Sequence, residues 1–197
     1  MIFKTALITG GASGLGYEFA TLLAKDSYHL ILIDIDSKKL KETKKELEDK
    51  NDTQVTTITK DMSTHNCASE LFEEIKETPI DVLINNAGFG LYGHFHNTDW
   101  EREASMLNLH IISTTHLTKL ILKGMVERGQ GKILNMSSLA AFQPGPLMSI
   151  YYASKAYILS FSEAIANELK GTGVTVTVLC PGQTKTSFQE VVSQETS

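Results

Sequence analysis

Ala6-Leu7-Ile8-Thr9-Gly10-Gly11-Ala12-Ser13-Gly14-Leu15-Gly16 decides the fold, because an apolar strand runs directly into a glycine-rich turn that opens a helix. A phosphate-binding turn needs that context: the first N–H groups of a helix have no intrahelical partner and carry the positive end of its dipole. Gly10 offers a backbone conformation closed to side-chain residues, Gly14 lets N–H groups approach a pyrophosphate, and Gly16 permits close packing of helix on strand. The spacing G-x-x-x-G-x-G differs from the G-x-G-x-x-G dinucleotide fingerprint, so the position between strand and helix carries the reading. A plain tight turn is the alternative.

Working outward, apolar and β-branched runs alternate with helical periodicity along nearly the whole chain, the pattern of repeated βα units on a parallel sheet. Strands are expected near 2–9, 28–34, 53–59, 80–85, 131–137 and 174–180, and helices over 14–26, 37–50, 66–77, 99–128 and 150–171. The first, second, fourth and sixth strands are almost purely apolar, as for strands covered on both faces. The expected fold is α/β, a doubly wound parallel sheet of the Rossmann type with about six strands in the order 3-2-1-4-5-6 and helices on both faces. Ligands belong at the carboxyl ends of its strands. One domain is expected over residues 1–188, followed by a polar tail at 189–197 with the composition of a disordered terminus.

Charge argues against several partners. The formal net charge is −5, and the lysines of 38–45 are interleaved with Glu42, Glu46 and Glu48, which reads as a solvated helix face. Neither nucleic acid nor an anionic membrane is invited. Cys67 and Cys180 form no metal-ligand or redox pair with near neighbours, and strand-like residues begin at Ile2, leaving no room for a secretion signal. With no apolar run long enough to span a bilayer, the expected location is the cytoplasm.

Asp34 closes the second strand eighteen residues after Gly16, where a carboxylate can accept hydrogen bonds from an adenosine ribose diol and repel a 2′-phosphate. Neither Ser13 nor Ile35 offers a compensating cation, which favours NAD over NADP, while nearby Lys38 and Lys39 keep NADP open. The structural alternative is a strand-end carboxylate hydrating a turn, with Asp36 as helix N-cap.

Tyr151-Tyr152-Ala153-Ser154-Lys155 begins thirteen residues after Ser138. On a helix the i,i+4 spacing brings Tyr151 and Lys155 to one face. A unit charge about 4 Å from a phenolate, at an effective dielectric of about 20, stabilises it by roughly 4 kcal/mol, or about three pK units. The expectation is a Tyr151 phenol that titrates near the operating pH and serves as proton donor and acceptor for alcohols and carbonyls. An ordinary amphipathic helix has the same spacing without the chemistry, so the pair counts because of its company.

Taken together, T-G-x-x-x-G-x-G, Asn85-Asn86-Ala87-Gly88, Ser138, Y-x-x-x-K and Pro181-Gly182 resemble the short-chain dehydrogenase/reductase family in order and spacing, from Ile2 to about Phe188. The resemblance implies Tyr151 as acid/base, Lys155 as its activator and ribose ligand, and Ser138 as hydrogen-bond donor to the substrate oxygen. Asn108 matches the family's fourth catalytic position and would hold a water linking Lys155 to solvent. For the cofactor it implies Gly10, Ser13, Gly14, Leu15, Gly16, Asp34, Asp61 and Met62 on the adenosine and phosphate side. Asn85, Ala87, Gly88, Tyr151, Lys155, Pro181, Gly182, Thr184 and Thr186 would serve the ribose, nicotinamide and pyrophosphate. No metal is required, and His94 and His96 lack a third ligand nearby.

Members usually continue with a helical lid, another helix and a seventh strand, which the sequence to Ser197 does not contain. The expected substrate is a small-molecule secondary alcohol or ketone, apolar or mixed, held by Phe89, Leu91, Tyr92, Phe142, Pro144, Leu147 and Met148; each of these has core or interface packing as its alternative. The competing function is a nucleotide-binding or oligomeric scaffold with little turnover. The resemblance also implies a homodimer or higher homo-oligomer paired through helices 99–128 and 150–171, with Leu117, Leu120, Ile121, Ile158, Phe161 and Ile165 as interface candidates or as core.

Overall fold

A computed structural model describes residues 4–182 and 184. The apolar strand that opens the chain, β1 (Thr5–Thr9), is wholly buried at the centre of a six-stranded sheet. Its neighbours are β2 (His29–Asp34) and β4 (Val82–Asn85), with β3 (Val55–Thr59) outside β2, and β5 (Gly131–Met136) and β6 (Val174–Leu179) beyond β4. Every pairing is parallel, giving the order 3-2-1-4-5-6. This is the Rossmann-like arrangement, with its strand-order reversal between β1 and β4.

Alternation along the strands divides the core in two, since successive side chains point to opposite faces. Ala6, Ile8, Leu30, Leu32, Val82 and Ile84 pack with Ala20 and Ala24 of α1 (Gly14–Lys25) and Leu40 and Leu47 of α2 (Ser37–Lys50). Leu7, Ile31, Ile33, Leu83 and Ile133 pack with Leu71 and Ile75 of α3 (Cys67–Ile75) and with Leu117, Ile121 and Met125 of α5 (Thr114–Arg128). Leu117, Ile121 and, on α6 (Ser149–Glu168), Ile158 are therefore core residues of this chain and unavailable to an interface, whereas Leu120, Phe161 and Ile165 keep partial exposure. Asp36 caps α2 through the Lys38 and Lys39 N–H groups, and Gly129 ends α5 at φ 67.

Two expectations change. The helix read over 99–128 is three segments: α4 (Trp100–Leu107), a π-helical stretch (Asn108–Ser113) and α5. The sixth strand is not covered on both faces, because it is the sheet's edge among the described residues and Thr175, Thr177 and Leu179 face outward. Its sequence Val-Thr-Val-Thr-Val-Leu alternates accordingly. The tail at 189–197 lies outside the described residues. Among those described, no helix is long and apolar enough to cross a membrane.

Candidate active site

The glycine turn leaves β1 at its carboxyl end. Gly10 and Gly14 have φ 65 and 54, a left-handed region that strains any side-chain residue, and a Cβ at Gly16 would overlap the Gly10 carbonyl. Half-buried Ser13 precedes α1 without capping it through its side chain, and the first turn carries no acidic residue. The N–H groups of Gly14, Leu15 and Gly16 thus lie in an uncapped first turn, and the residues present fit a pyrophosphate.

Asp34 sits where β2 ends, its Oδ2 accepting from the Ala12 N–H and its Oδ1 from the Asp36 N–H, each at 3.1 Å. The carboxylate thus braces the glycine turn. Asp61 accepts from the Ser63 N–H and hydroxyl at 2.8 and 2.7 Å, and Met62 is buried behind it.

Adjacent asparagines have opposite fates. Asn85 is buried: its Nδ2 donates to Thr118 Oγ1 at 2.9 Å and to Asn135 Oδ1 at 2.8 Å, and Asn135 in turn donates to Ser162 at 3.0 Å. Strand alternation turns this side chain into the core, so the place on the cofactor groove expected of Asn85 falls to its backbone alone. Asn86, which sequence reasoning passed over, donates to the Thr9 and Gly10 carbonyls at 3.1 Å, while Thr9 Oγ1 accepts from the N–H groups of Asn86 and Ala87. The pairing register Thr9↔Asn85 brings this second loop, with Ala87 and Gly88, beside the glycine turn.

Ser138, Tyr151 and Lys155 come together where β5 and α6 meet. Ser138 follows β5, accepts from the Ala140 N–H at 3.1 Å, and hydrogen-bonds the Tyr151 side chain. Tyr151 lies in the first turn of α6, with Lys155 one turn on. Lys155 is buried, its Nζ donating to the Met136 carbonyl at 3.1 Å and lying 5.6 Å from the Tyr151 ring centre, while Ser137 Oγ donates to the Lys155 carbonyl.

Burial reverses the expected electrostatics. It pushes Lys155 down to about 8, and it raises Tyr151 above the usual phenol value, against the lowering effect of the Ser138 hydrogen bond and with the help of Tyr152. In the ligand-free chain both directions run against the expectation of a phenol titrating near the operating pH. A charge pair about 4 Å apart carries no desolvation cost by itself, and burial of both side chains adds one.

The π-helical stretch brings in two further side chains. Asn108 Nδ2 donates to the carbonyls of Ser63 at 2.6 Å and Thr64 at 2.9 Å, so its side chain is directed to the loop after β3. His110 is buried against Gly88, Phe89, Ser154 and Tyr151, and burial followed by the Lys155 charge holds it well below the ordinary imidazole range. Sequence reasoning missed it, because a lone histidine in a helix carries no spacing signal.

Around this cluster, Leu139 N donates to the Pro181 carbonyl at 3.0 Å, and Gly182 lies against Leu139. Thr184 is exposed, and Thr186 lies outside the described residues. Phe142, Pro144 and Tyr92 are exposed, Leu147, Met148 and Phe89 half-buried. Gly93 N donates to the Leu147 carbonyl at 2.8 Å, tying the two outer loops together. Arg102 stacks over Phe89 at 4.9 Å. Leu91 is buried and belongs to the interior. His94 and His96 lie with ring centres 5.7 Å apart, and among the described residues no group of three or more potential metal ligands converges.

A doubly wound parallel sheet, with an uncapped glycine turn and a Ser-Tyr-Lys cluster on one edge, defines a Rossmann-type fold with a candidate dinucleotide site. The profile described as "short chain dehydrogenase" matches residues 4–197, and the chain belongs to that family. Among curated relatives, a ketoacyl reductase of Nostoc sp. is 35% identical over 91% of this chain and 63% of its own length. The chain spans about three fifths of the first curated relatives it matches, at 63%, 62% and 58%. Among solved structures, a short-chain dehydrogenase from Sphingobium yanoikuyae in complex with NADPH superimposes with TM-score 0.92 at 29% identity, covering 97% of this chain and 76% of that one. A Burkholderia phymatum member in complex with NAD gives TM-score 0.87 at 27% identity, covering 96% and 69%.

Proposed function

We propose that the chain is an oxidoreductase that interconverts a secondary alcohol and a ketone with NAD(H), preferred over NADP(H), and uses Tyr151 as general acid/base. The observation that carries this reading is the convergence of Ser138, Tyr151 and Lys155 on the same sheet edge as the uncapped start of α1. When bound there, a nicotinamide dinucleotide supplies or takes up the hydride.

The chain's own residues supply the rest. The Ser138 hydroxyl donates to the substrate oxygen and the Tyr151 phenol moves the proton, stabilising negative charge as it develops on that oxygen. The raised phenol is protonated at neutral pH, the form needed to donate during ketone reduction. Lys155, still largely charged at pH 7, favours anionic development nearby. Because the Asn108 side chain is engaged by Ser63 and Thr64, a water relay from Lys155 would rest on the backbone of the π-helical stretch.

Asp34 supports the NAD preference: two backbone N–H groups hold its carboxylate at the end of β2, where it accepts from a ribose diol and repels a phosphate. Apolar Phe89, Leu147 and Met148, with exposed Tyr92, Phe142 and Pro144, suit a substrate with an apolar body. Partly exposed Leu120, Phe161 and Ile165 are the residues left for homo-oligomer contacts, measurable by sedimentation.

Parallel titrations with NADH and NADPH, read by nicotinamide fluorescence and followed by ketone-dependent NADH oxidation, test the reading. Tighter NADH binding with turnover is the expected result. Binding of neither dinucleotide would overturn the enzymatic reading, and an NADPH preference would overturn the role of Asp34.

A further inference from the structure

We propose that His110 is a positioning residue for this reaction: its ring ties the Gly88–Phe89 backbone to the turn of α6 that carries Tyr151. The proposal rests on the oxidoreductase reading and extends it to a group that touches neither reacting partner.

Hydrogen-bond accounting assigns the ring's tautomer. Ser154 Oγ donates its single proton to the Tyr151 carbonyl at 2.7 Å, so towards His110 Nδ1, 2.8 Å away, it can only accept. Nδ1 therefore carries the ring proton. Nε2 is left bare, and it accepts the Phe89 N–H at 3.3 Å. A second proton on Nε2 would confront that N–H and place a buried cation beside Lys155; Tyr151, with ring centres 5.9 Å apart, also faces the ring. The imidazole is thus a neutral two-ended clamp with one partner at each end.

The surroundings are cut to admit it. A Cβ at Gly88 would lie 2.8 Å from His110 Nε2, so a glycine there lets the ring approach the loop. The π-helical stretch sends Asn108 to the loop after β3 and His110 to the loop after β4, bracing two of the loops that border the dinucleotide groove. Single π-turns inside α-helices recur at functional sites for such placement.

Two amide substitutions separate the ends of the clamp. In His110→Asn the amide nitrogen replaces Nδ1 and keeps the donor to Ser154, whereas in His110→Gln the carbonyl oxygen reaches the Nε2 position and keeps the acceptor for Phe89. If both ends are needed, kcat for NADH-dependent ketone reduction falls at least about tenfold in each, misplacement by about 1 Å being worth on the order of 10²-fold. Ser154→Ala should lose as much, and His110→Gln/Ser154→Ala no more than either single change, because the two residues act in series. Folded variants with parental kcat, or losses that simply multiply, would overturn the proposal. Should either amide variant fail to fold, Ser154→Ala and the ring spectrum decide.

Long-range proton–nitrogen correlation on the parental protein reads the clamp without turnover. A neutral ring protonated on Nδ1 and unchanged between pH ~5 and ~8 is expected; protonation within that range, or an Nε2–H ring, would overturn it. A parental chain that turns over NADH while the variants match it sinks only the role of His110. A parental chain with neither binding nor turnover removes both.

Discussion

Lys155 Nζ lies 5.6 Å from the centre of the Tyr151 ring and is buried against the Met136 carbonyl, so the cation that faces the phenol is itself desolvated. Its value of about 8 places its titration below that of Tyr151. The consequences reach both stability and rate.

Between about 8 and the unfolded lysine value of about 10.4, the unfolded chain binds a proton that the folded chain lacks, so stability rises with pH across that window. Above about pH 10 the raised Tyr151 acts the other way, because the folded chain then retains a proton that the unfolded chain has lost. Lys155→Met should remove the rise and stabilise the chain at pH 7 by up to about 3 kcal/mol, the full linkage of a shift of roughly two units. Urea midpoints measured from pH 7 to 10 check this, and a variant less stable than the parent at pH 7 would refute it.

For reduction, Tyr151 must be protonated and Lys155 charged. Since kcat/KM reports the free enzyme, it should fall as pH rises through about 8, and Lys155→Arg should move that limb upward in whatever activity it keeps. Tyr151→Phe should lower turnover by on the order of 10²–10⁴ while leaving NADH affinity within about threefold. Parental turnover by Tyr151→Phe would end the acid/base assignment.

Asp34→Ala combined with Ile35→Arg should raise the ratio of NADPH to NADH affinity at least tenfold, because a charge-assisted hydrogen bond worth about 1.5–3 kcal/mol changes sides. The variant also loses the brace on Ala12, so both affinities should fall before the ratio turns. Fluorescence titration of both dinucleotides measures it, and an unchanged ratio would remove Asp34 as selector.

Asn85→Leu strands the acceptors of Thr118 and Asn135 and should cost roughly 2–4 kcal/mol, while NADH affinity of the folded protein stays near parental. Asn85→Leu/Asn135→Leu should lose less than the sum of the single changes, since each removes a group the other leaves unpaired. Denaturant titration around the double-mutant cycle checks the coupling. A selective loss of NADH affinity in folded Asn85→Leu would give the side chain a part in the groove.

All six strands and their order were legible in the chain, because β1, β2 and β4 read as continuous apolar runs, the other three as period-two or β-branched ones, and each crossover has its own helical period. Glycines at 10, 14 and 16 were legible for a local reason, since positive φ and close approach tolerate nothing larger. The π-helical interruption was not, because its 3.6-residue pattern continues through the break. Leu117, Ile121 and Ile158 likewise match a core face and an interface face equally well until packing places them.

Sequence by itself determined the alternation of strands and helices, the glycine turn after β1, and the presence of Ser138, Tyr151 and Lys155 at family spacing, all of which are local or periodic properties. Only the tertiary structure decided that Asn85 is buried while Asn86 holds the Thr9 and Gly10 carbonyls, that burial moves Lys155 down and Tyr151 up, and that His110 stands between the Gly88–Phe89 loop and α6. Those outcomes depend on which face of the sheet a residue meets and how much water is excluded around it, and neither is a property of neighbours along the chain.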